Sequence, residues 1–179
     1  MHRVSKRYLI IDGYNYINAD STLKSQMQVS LESARIGLNQ MLSEYASYSG
    51  EIGIVVYDAT KSNAIVSRSE IQGGIEVVFT KKNETADAYI ERLVYDLAKD
   101  KANFIRVVTM DWAEQLAVFS QGGVRVSASE WRREVAGMKS GIGAFSENKL
   151  MRHDRQLGTN LDENTLKKLN SLLSKQLKD

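Results

Sequence analysis

The fold is decided by the stretch Tyr8-Leu9-Ile10-Ile11-Asp12-Gly13-Tyr14-Asn15, in which an aspartate directly follows an apolar, β-branched run. The pattern recurs where Asp58 follows residues 52–57 and where Asp111 follows residues 104–110, and another apolar run covers residues 75–80. Runs without strict polar alternation are typical of strands buried on both faces of a sheet. The sequence therefore predicts buried strands, three of which end at an aspartate.

Amphipathic helical patterns fill most of the gaps between these runs. Apolar residues recur at helical spacing within residues 31–45 and 90–97. Ser127 and Glu130 have the spacing of a capping box, which makes residues 124–126 a short fifth strand before a helix. Because parallel strands need crossover connections that are usually helical, we expect an α/β fold: a three-layer α/β/α sandwich with a mostly parallel central sheet.

Two segments fit neither pattern. Residues 59–74 lack a clean period and contain Gly73-Gly74, so we expect a loop or short helix over the sheet edge. Residues 137–147 are rich in glycine and serine and read as a linker. We divide the chain into a main domain at residues 1–139 and, at residues 140–179, a basic linker with an amphipathic C-terminal helix.

Composition narrows the chemistry. The 179 residues include no cysteine and two histidines, which removes thiolate sites and leaves little for a histidine-rich zinc site. Any metal must be held mainly by oxygen, which favours Mg²⁺ or Mn²⁺. The net charge of +2 does not by itself announce a nucleic-acid binder. No apolar run is long enough to span a bilayer, so we expect a cytoplasmic protein without a membrane partner.

The acidic residues form a candidate metal site. Ligands of open α/β sheets bind beyond the carboxyl ends of the strands, where chain direction places Asp12, Asp58 and Asp111. Asp87 opens a helix, and its spacing from Ile90 predicts that it lies on the core-facing stripe. A carboxylate there needs a partner, and a divalent cation would supply one. Glu84, three residues earlier, points towards the same end.

Each aspartate also has a purely structural explanation. Asp12 could begin a turn, and Asp58 could cap the next segment. Asp111 could be the N-cap of a following helix, and Asp87 could oppose a helix dipole. The expectation that one sheet edge receives all four favours the metal site.

Five blocks, in this order along the chain, resemble the YacP-like branch of the NYN domains, which belong to the PIN-like nuclease superfamily. They are Ile10-Ile11-Asp12-Gly13-Tyr14-Asn15, Val56-Tyr57-Asp58-Ala59, Glu76-Val77-Val78-Phe79-Thr80, Glu84-Thr85-Ala86-Asp87-Ala88-Tyr89-Ile90-Glu91 and Thr109-Met110-Asp111-Trp112-Ala113-Glu114-Gln115. The resemblance covers about residues 8–135. It implies a PIN-like fold and a metal-dependent ribonuclease.

The resemblance also implies roles for particular residues. The acidic metal-site positions correspond to Asp12, Asp87 and Asp111, with Asn15 and Asp58 beside them and Glu84 as an outer member. Met110 departs from the family pattern, which often has a small polar residue there. Because the family includes a ribosome-associated endoribonuclease that cleaves messenger RNA, the implied partners are RNA, in particular mRNA, and the ribosome.

Positive and aromatic residues near the predicted edge are candidates for RNA contact. Phosphate neutralisation would give salt-dependent binding, and tyrosine rings stack on unpaired bases. A solvated surface of mixed charge is the alternative for each cation. The candidates are Tyr14, Lys61, Arg68, Lys81, Lys82, Arg125, Arg132 and Arg133.

Three functions compete. The first is an endoribonuclease in which Asp12, Asp87 and Asp111 hold Mg²⁺ or Mn²⁺ and water attacks phosphorus. The second is a non-catalytic module that binds RNA or the ribosome. The third is a receiver-like phosphoacceptor, which usually has a lysine at a later strand end, where Val124-Arg125-Val126-Ser127 supplies none. The sequence leaves the oligomeric state open.

Overall fold

The computed structural model describes residues 5–58, 66–110 and 122–141. Asp111, Lys61 and the predicted C-terminal helix lie outside these ranges. Within them, the strands are β1 (Arg7–Asp12), β2 (Ile52–Tyr57), β3 (Arg68–Gln72), β4 (Ile75–Phe79), β5 (Phe104–Val108) and β6 (Val124–Val126). The helices are α1 (Gly13–Ala19), α2 (Ser21–Val29), α3 (Leu31–Ser49) and α4 (Ala86–Ala98), and residues 128–141 form α5.

The strands make one sheet in the order β3-β4-β2-β1-β5-β6. Every neighbouring pair is parallel except β3 with β4. The predicted α/β fold with a mostly parallel sheet is therefore confirmed. The five parallel strands end along one side of the sheet, called here the carboxyl edge. Chain order reverses at β1, which lies between β2 and β5, and such switch points favour ligand binding at that edge.

Helices cover both faces of the sheet. On one face Ile90 and Val94 of α4 pack in a buried cluster with Ile10, Ile54 and Val107 from three strands. Residues on the alternate positions of those strands face the other way. A Cβ at Gly53 would lie 3.1 Å from Leu42 Cγ, which places α3 on the second face. The result is an α/β/α arrangement with the sheet in the middle.

The predicted loop or short helix at residues 59–74 is wrong for residues 68–72. These residues form β3, an antiparallel edge strand that turns into β4 through Gly73 (φ 55°) and Gly74 (φ 83°). Most of β3 is exposed, so it shows no apolar pattern, and backbone pairing with β4 holds it in place. Residues 59–65 lie outside the described ranges.

The chain divides into two compact units, Met1–Ala136 and Gly137–Asp179. Of the second unit, the structure describes residues 137–141. Residues 137–141, where we expected a linker to begin, instead continue α5, the helix that the Ser127–Glu130 capping box starts, so the linker prediction is wrong for these residues. The rest of the predicted linker and the C-terminal helix lie outside the described residues and stay predictions. In the described part of the chain, no helix is both long and apolar enough to cross a membrane.

Candidate active site

Asp12 is the last residue of β1 and the N-cap of α1. Its Oδ1 accepts a hydrogen bond of 3.1 Å from the backbone N–H of Asn15, which satisfies one of the free donors at the helix start. Asp12 is two residues beyond Ile10 and so continues the row of side chains that faces α4. The carboxylate is only 7% exposed. The strand end and the cap together fix a buried acid at the carboxyl edge.

Asp87 lies in the first turn of α4, after the N-cap Thr85. The prediction that Asp87 lies on the core-facing stripe is wrong, because that stripe is Ala86, Ile90 and Val94, and Asp87 is exposed. Counting four residues back from Ile90 reaches Ala86, which leaves Asp87 beside the stripe. From there its carboxylate adds negative charge at Asp12, which contributes to a raised pKa of the Asp12 carboxyl group.

The electrostatics of Asp12 are those of a crowded acid. Burial raises the pKa of its carboxyl group to about 7 from 3.8; the Asn15 N–H opposes the rise, and the charges of Asp87 and Asp58 add to it. A proton on Asp12 relieves this repulsion, and a divalent cation beside the carboxylates would relieve it more strongly.

The donor set fits Mg²⁺ or Mn²⁺. Mg²⁺ is usually bound by one or two carboxylates and keeps several waters, and Asp12 with Asp87 supplies such a pair from two different elements. Among the described residues, no three acidic or histidine side chains are close enough together to enclose an ion. Asp58 adds its negative charge at Asp12, and the predicted ligand Asp111 lies outside the described residues.

Asn15 connects α1 to the end of β5. Its Oδ1 accepts a hydrogen bond of 3.0 Å from the backbone N–H of Met110. Its own backbone N–H donates to Asp12 Oδ1, so Asn15 links the end of β1 to the segment that follows β5. The structure thus gives Asn15 a positioning contact, and its predicted part in catalysis stays a prediction.

Gly13 lets an aromatic row lie close to the edge. A Cβ at Gly13 would be 2.3 Å from Tyr57 Cε1, a distance that no side chain could occupy without moving the ring. The Tyr57 ring contacts Tyr14 at 5.1 Å and stacks on Phe79 at 5.5 Å between centroids. The Asp-Gly-Tyr-Asn motif therefore places an acid on one face of the strand ends and aromatic rings on the other.

Glu84 already has partners of its own. Its buried carboxylate is paired with Arg92 and accepts a hydrogen bond of 2.9 Å from Ser67 Oγ. Burial opposes ionisation, but the hydrogen bonds from Arg92 and Ser67 prevail and lower the pKa of Glu84. The outer metal role of Glu84 stays a prediction, and its present contacts are those of a compensated ion.

The predicted RNA-binding cations differ in how they are held. Lys81 and Lys82 are exposed directly after β4, at the carboxyl edge, as the prediction requires. The others have partners: Arg68 with Glu70 at 3.3 Å, Arg125 with Glu130 at 4.0 Å, Arg132 with Asp20 at 3.4 Å, and Arg133 with the Ser129 carbonyl oxygen at 3.3 Å. Lys61 is outside the described residues.

One cation near the carboxyl edge was not among the residues predicted from the sequence. Arg35 of α3 donates a hydrogen bond of 3.3 Å from Nη1 to the hydroxyl oxygen of Tyr14, the predicted base-stacking residue. Its guanidinium carbon lies 5.5 Å from the centroid of Phe79. No sequence motif marks Arg35, because α3 brings it to the edge from a distant part of the chain.

The fold and the acidic edge define an α/β domain with a candidate metal site at its carboxyl edge. A family model described as the YacP-like NYN domain matches residues 9–174, so this chain belongs to that family, which is nuclease-like.

Individual relatives support the same family assignment. The chain is 45% identical to the YacP protein of Bacillus subtilis (strain 168) over 127 residues, which cover 71% of this chain and 74% of that protein. It matches the crystal structure of Rae1 (YacP) from Bacillus subtilis with a TM-score of 0.68 and 37% identity, over 95% of this chain and 96% of that one. A mutant of the same protein matches with a TM-score of 0.63 and 37% identity, over 90% and 89%.

Proposed function

We propose that this protein is an endoribonuclease that hydrolyses RNA phosphodiester bonds with the help of Mg²⁺ or Mn²⁺. The observation that carries the proposal is the Asp12–Asp87 pair, a buried acid that meets a second acid and the charge of a third at the carboxyl edge. Such a concentration of negative charge favours cation binding. Membership of a nuclease-like family supports a hydrolytic use for that cation.

Each residue has a role in this proposal. Asp12 and Asp87 would hold the metal, with Asp111 as a third ligand and Asp58 adding negative charge. When bound, the metal would supply a lowered pKa for water and neutralise charge on the phosphate in the transition state. Asn15 keeps Asp12 oriented through its N–H and keeps the end of β5 beside it through its Oδ1.

The substrate is proposed to be single-stranded RNA, in particular messenger RNA on the ribosome in the cytoplasm. Lys81 and Lys82 support an RNA substrate, because they are exposed where a backbone approaching the acids would pass. The ribosomal setting rests on the resemblance to the YacP-like branch.

The test is metal-dependent cleavage of end-labelled single-stranded RNA, with mapping of the new ends. Asp12→Asn keeps an N-cap side chain and Asp87→Asn changes an exposed residue, so both variants should fold. We expect each to lose at least about 100-fold in cleavage rate, as for removal of a group that stabilises transition-state charge.

Asp20→Asn is the matched control, since Asp20 is also a buried N-cap aspartate but contacts Arg132. It should cleave like the wild type. Full activity of Asp12→Asn and Asp87→Asn in the presence of a chelator would overturn the proposal. RNA binding by the wild type without any new RNA ends would instead support the non-catalytic binding module.

A further inference from the structure

Arg35 is held at the carboxyl edge by three groups. Its Nη1 donates to the Tyr14 hydroxyl, its Nη2 is paired with Glu32, and its guanidinium lies over the ring of Phe79. Tyr57, the last residue of β2, donates its hydroxyl proton to Asn39 Oδ1 of α3 at 2.7 Å, which holds α3 against the strand ends. These contacts fix a positive charge on the α3 face of the strand ends.

The contacts of Arg35 leave its guanidinium incompletely satisfied. Among the described residues, Arg35 Nε is buried and has no hydrogen-bond partner. A buried donor left unpaired is destabilising, and an arginine that served only to cover Phe79 could be replaced by an apolar side chain without that penalty. The Arg35 side chain is nevertheless 24% exposed, so it is not sealed off from solvent.

The location of Arg35 relates it to the acidic pair. Its hydrogen-bond partner Tyr14 follows Asp12 by two residues, and the ring of Tyr57 lies against both Gly13 and Tyr14. Asp12 faces α4, whereas Tyr57 and Phe79 face α3. A strand of RNA crossing the carboxyl edge would therefore meet the acids on one face and the arginine with its aromatic rings on the other.

Glu32 is the partner that a ligand of Arg35 would displace most easily. Its side chain is 61% exposed, and it pairs with Arg35 at i,i+3 spacing on the surface of α3. Exposed pairs of this kind contribute little to stability. A phosphate group forms the same charge-assisted, bidentate hydrogen bonds with a guanidinium as a carboxylate does, so it can take the place of this exposed carboxylate.

We infer that Arg35 binds a phosphate of the RNA substrate next to the one that is cleaved, and that this phosphate displaces Glu32. The Tyr14 hydroxyl orients the guanidinium, and the ring of Phe79 packs against it. Arg35 is a binding residue and takes no part in the chemical step. The inference rests on the proposed function for the identity of the ligand as RNA.

The chain offers a matched control on α4. Asp96 and Lys99 also form an i,i+3 pair, and the Lys99 ammonium lies 4.8 Å from the ring centroid of Tyr95. Because α4 runs antiparallel to the strands, this second pair lies at the opposite end of the sheet from the acids. It has the same elements, an acid, a cation and an aromatic ring, without the active-site location.

The experiment measures binding of a labelled single-stranded RNA to the full chain in the presence of a chelator, at several salt concentrations. Arg35→Gln, which keeps donors for Tyr14, should weaken binding by about 5- to 10-fold and lower the magnitude of the salt-dependence slope by roughly 0.7. Glu32→Gln should tighten binding by about 2- to 5-fold, since the arginine then has no competing carboxylate. Lys99→Gln and Asp96→Asn should bind like the wild type.

Kinetics separate this role from a structural one. With metal present, Arg35→Gln should raise KM and leave kcat within about twofold, as expected for loss of a contact made equally in the ground and transition states. Wild-type affinity in Arg35→Gln, or weaker binding in Glu32→Gln, would overturn the inference. So would absence of RNA binding by the wild type. If the wild type binds RNA without cleaving it and Arg35→Gln still binds weakly, the proposed function fails and the phosphate contact stands.

Discussion

Asp12 and Asp20 are two buried N-cap aspartates with opposite surroundings. They are 7% and 6% exposed, and each accepts backbone N–H bonds at the start of its helix, Asp20 from Thr22 and Leu23 at 3.0 Å. Asp20 has Arg132 at 3.4 Å, whereas Asp12 has the carboxylates of Asp87 and Asp58. Capping explains why an acid stands at either position. Only the surrounding charge distinguishes a structural acid from a candidate metal ligand.

The Arg106 network extends the comparison to a whole region. On the α3 face, Arg106 lies 3.2 Å from Glu51, whose side chain is fully buried, and 2.6 Å from Glu134, which also accepts a hydrogen bond from Tyr45. Here every buried acid meets a cation. Within the described residues, the charges that act on Asp12 are negative instead. The fold thus compensates the buried carboxylate of Glu51 with cations and leaves that of Asp12 among other carboxylates at the carboxyl edge.

Breaking the compensated region should cause the largest loss of stability. Among the described residues, Arg106→Met leaves buried Glu51 with the more distant Arg7, at 3.6 Å, as its remaining cationic partner. We expect a loss of about 3 kcal/mol in the free energy of unfolding, since removing one partner of a buried pair strands the other charge. Urea denaturation measures this loss.

Arg7→Met is the control for that change. Arg7 is half exposed, so its removal should cost less than about 1 kcal/mol. Equal losses for the two variants would contradict the view that Arg106 is the principal partner of Glu51.

Neutralising Asp12 should instead raise the free energy of unfolding. In the metal-free protein, the raised pKa of Asp12 means that ionisation is disfavoured in the folded state. Below pH 3.8 the Asp12 carboxyl group is protonated in both the folded and the unfolded state, so it does not lower the free energy of unfolding. Between pH 3.8 and about pH 7 the wild type loses stability as the pH rises. Above about pH 7 the loss is complete. Asp12→Asn has no such loss.

We therefore expect Asp12→Asn to gain about 4 kcal/mol relative to the wild type between pH 4 and pH 8, since a rise of about three pKa units corresponds to roughly 1.4 kcal/mol per unit. Chemical denaturation at the two pH values in chelator provides the measurement. Asp20→Asn should show no such gain, because its carboxylate has Arg132 beside it. A gain for Asp12→Asn that is the same at pH 4 and pH 8 would contradict the assignment of the shift to Asp12.

What could be read from the sequence follows from the range of the interactions involved. The apolar runs that form β1, β2, β4 and β5 are local, and so is the Ser127–Glu130 capping box, which the structure confirms with bonds of 2.6 and 3.2 Å. The meeting of Asp12 with Asp87 could be predicted because parallel strands and the helix after them share one edge.

The errors and omissions came from contacts that no local pattern encodes. The edge strand β3 is held by backbone pairing and has no apolar signature. Asp87 lies one position off the buried stripe, which a helical period cannot resolve at a helix start. Arg35 reaches Tyr14 across 21 residues, so its place at the edge depends on how α3 packs.

The central claim is that the crowded carboxylates at the carboxyl edge bind a divalent metal, and Mn²⁺ binding at pH 8 tests it most directly. Electron paramagnetic resonance of free Mn²⁺ can be followed in titrations of the wild type, Asp12→Asn, Asp87→Asn and Asp20→Asn. We expect the wild type and Asp20→Asn to bind Mn²⁺, and Asp12→Asn and Asp87→Asn to bind it at least about tenfold more weakly. Equal affinity in all four proteins would contradict it.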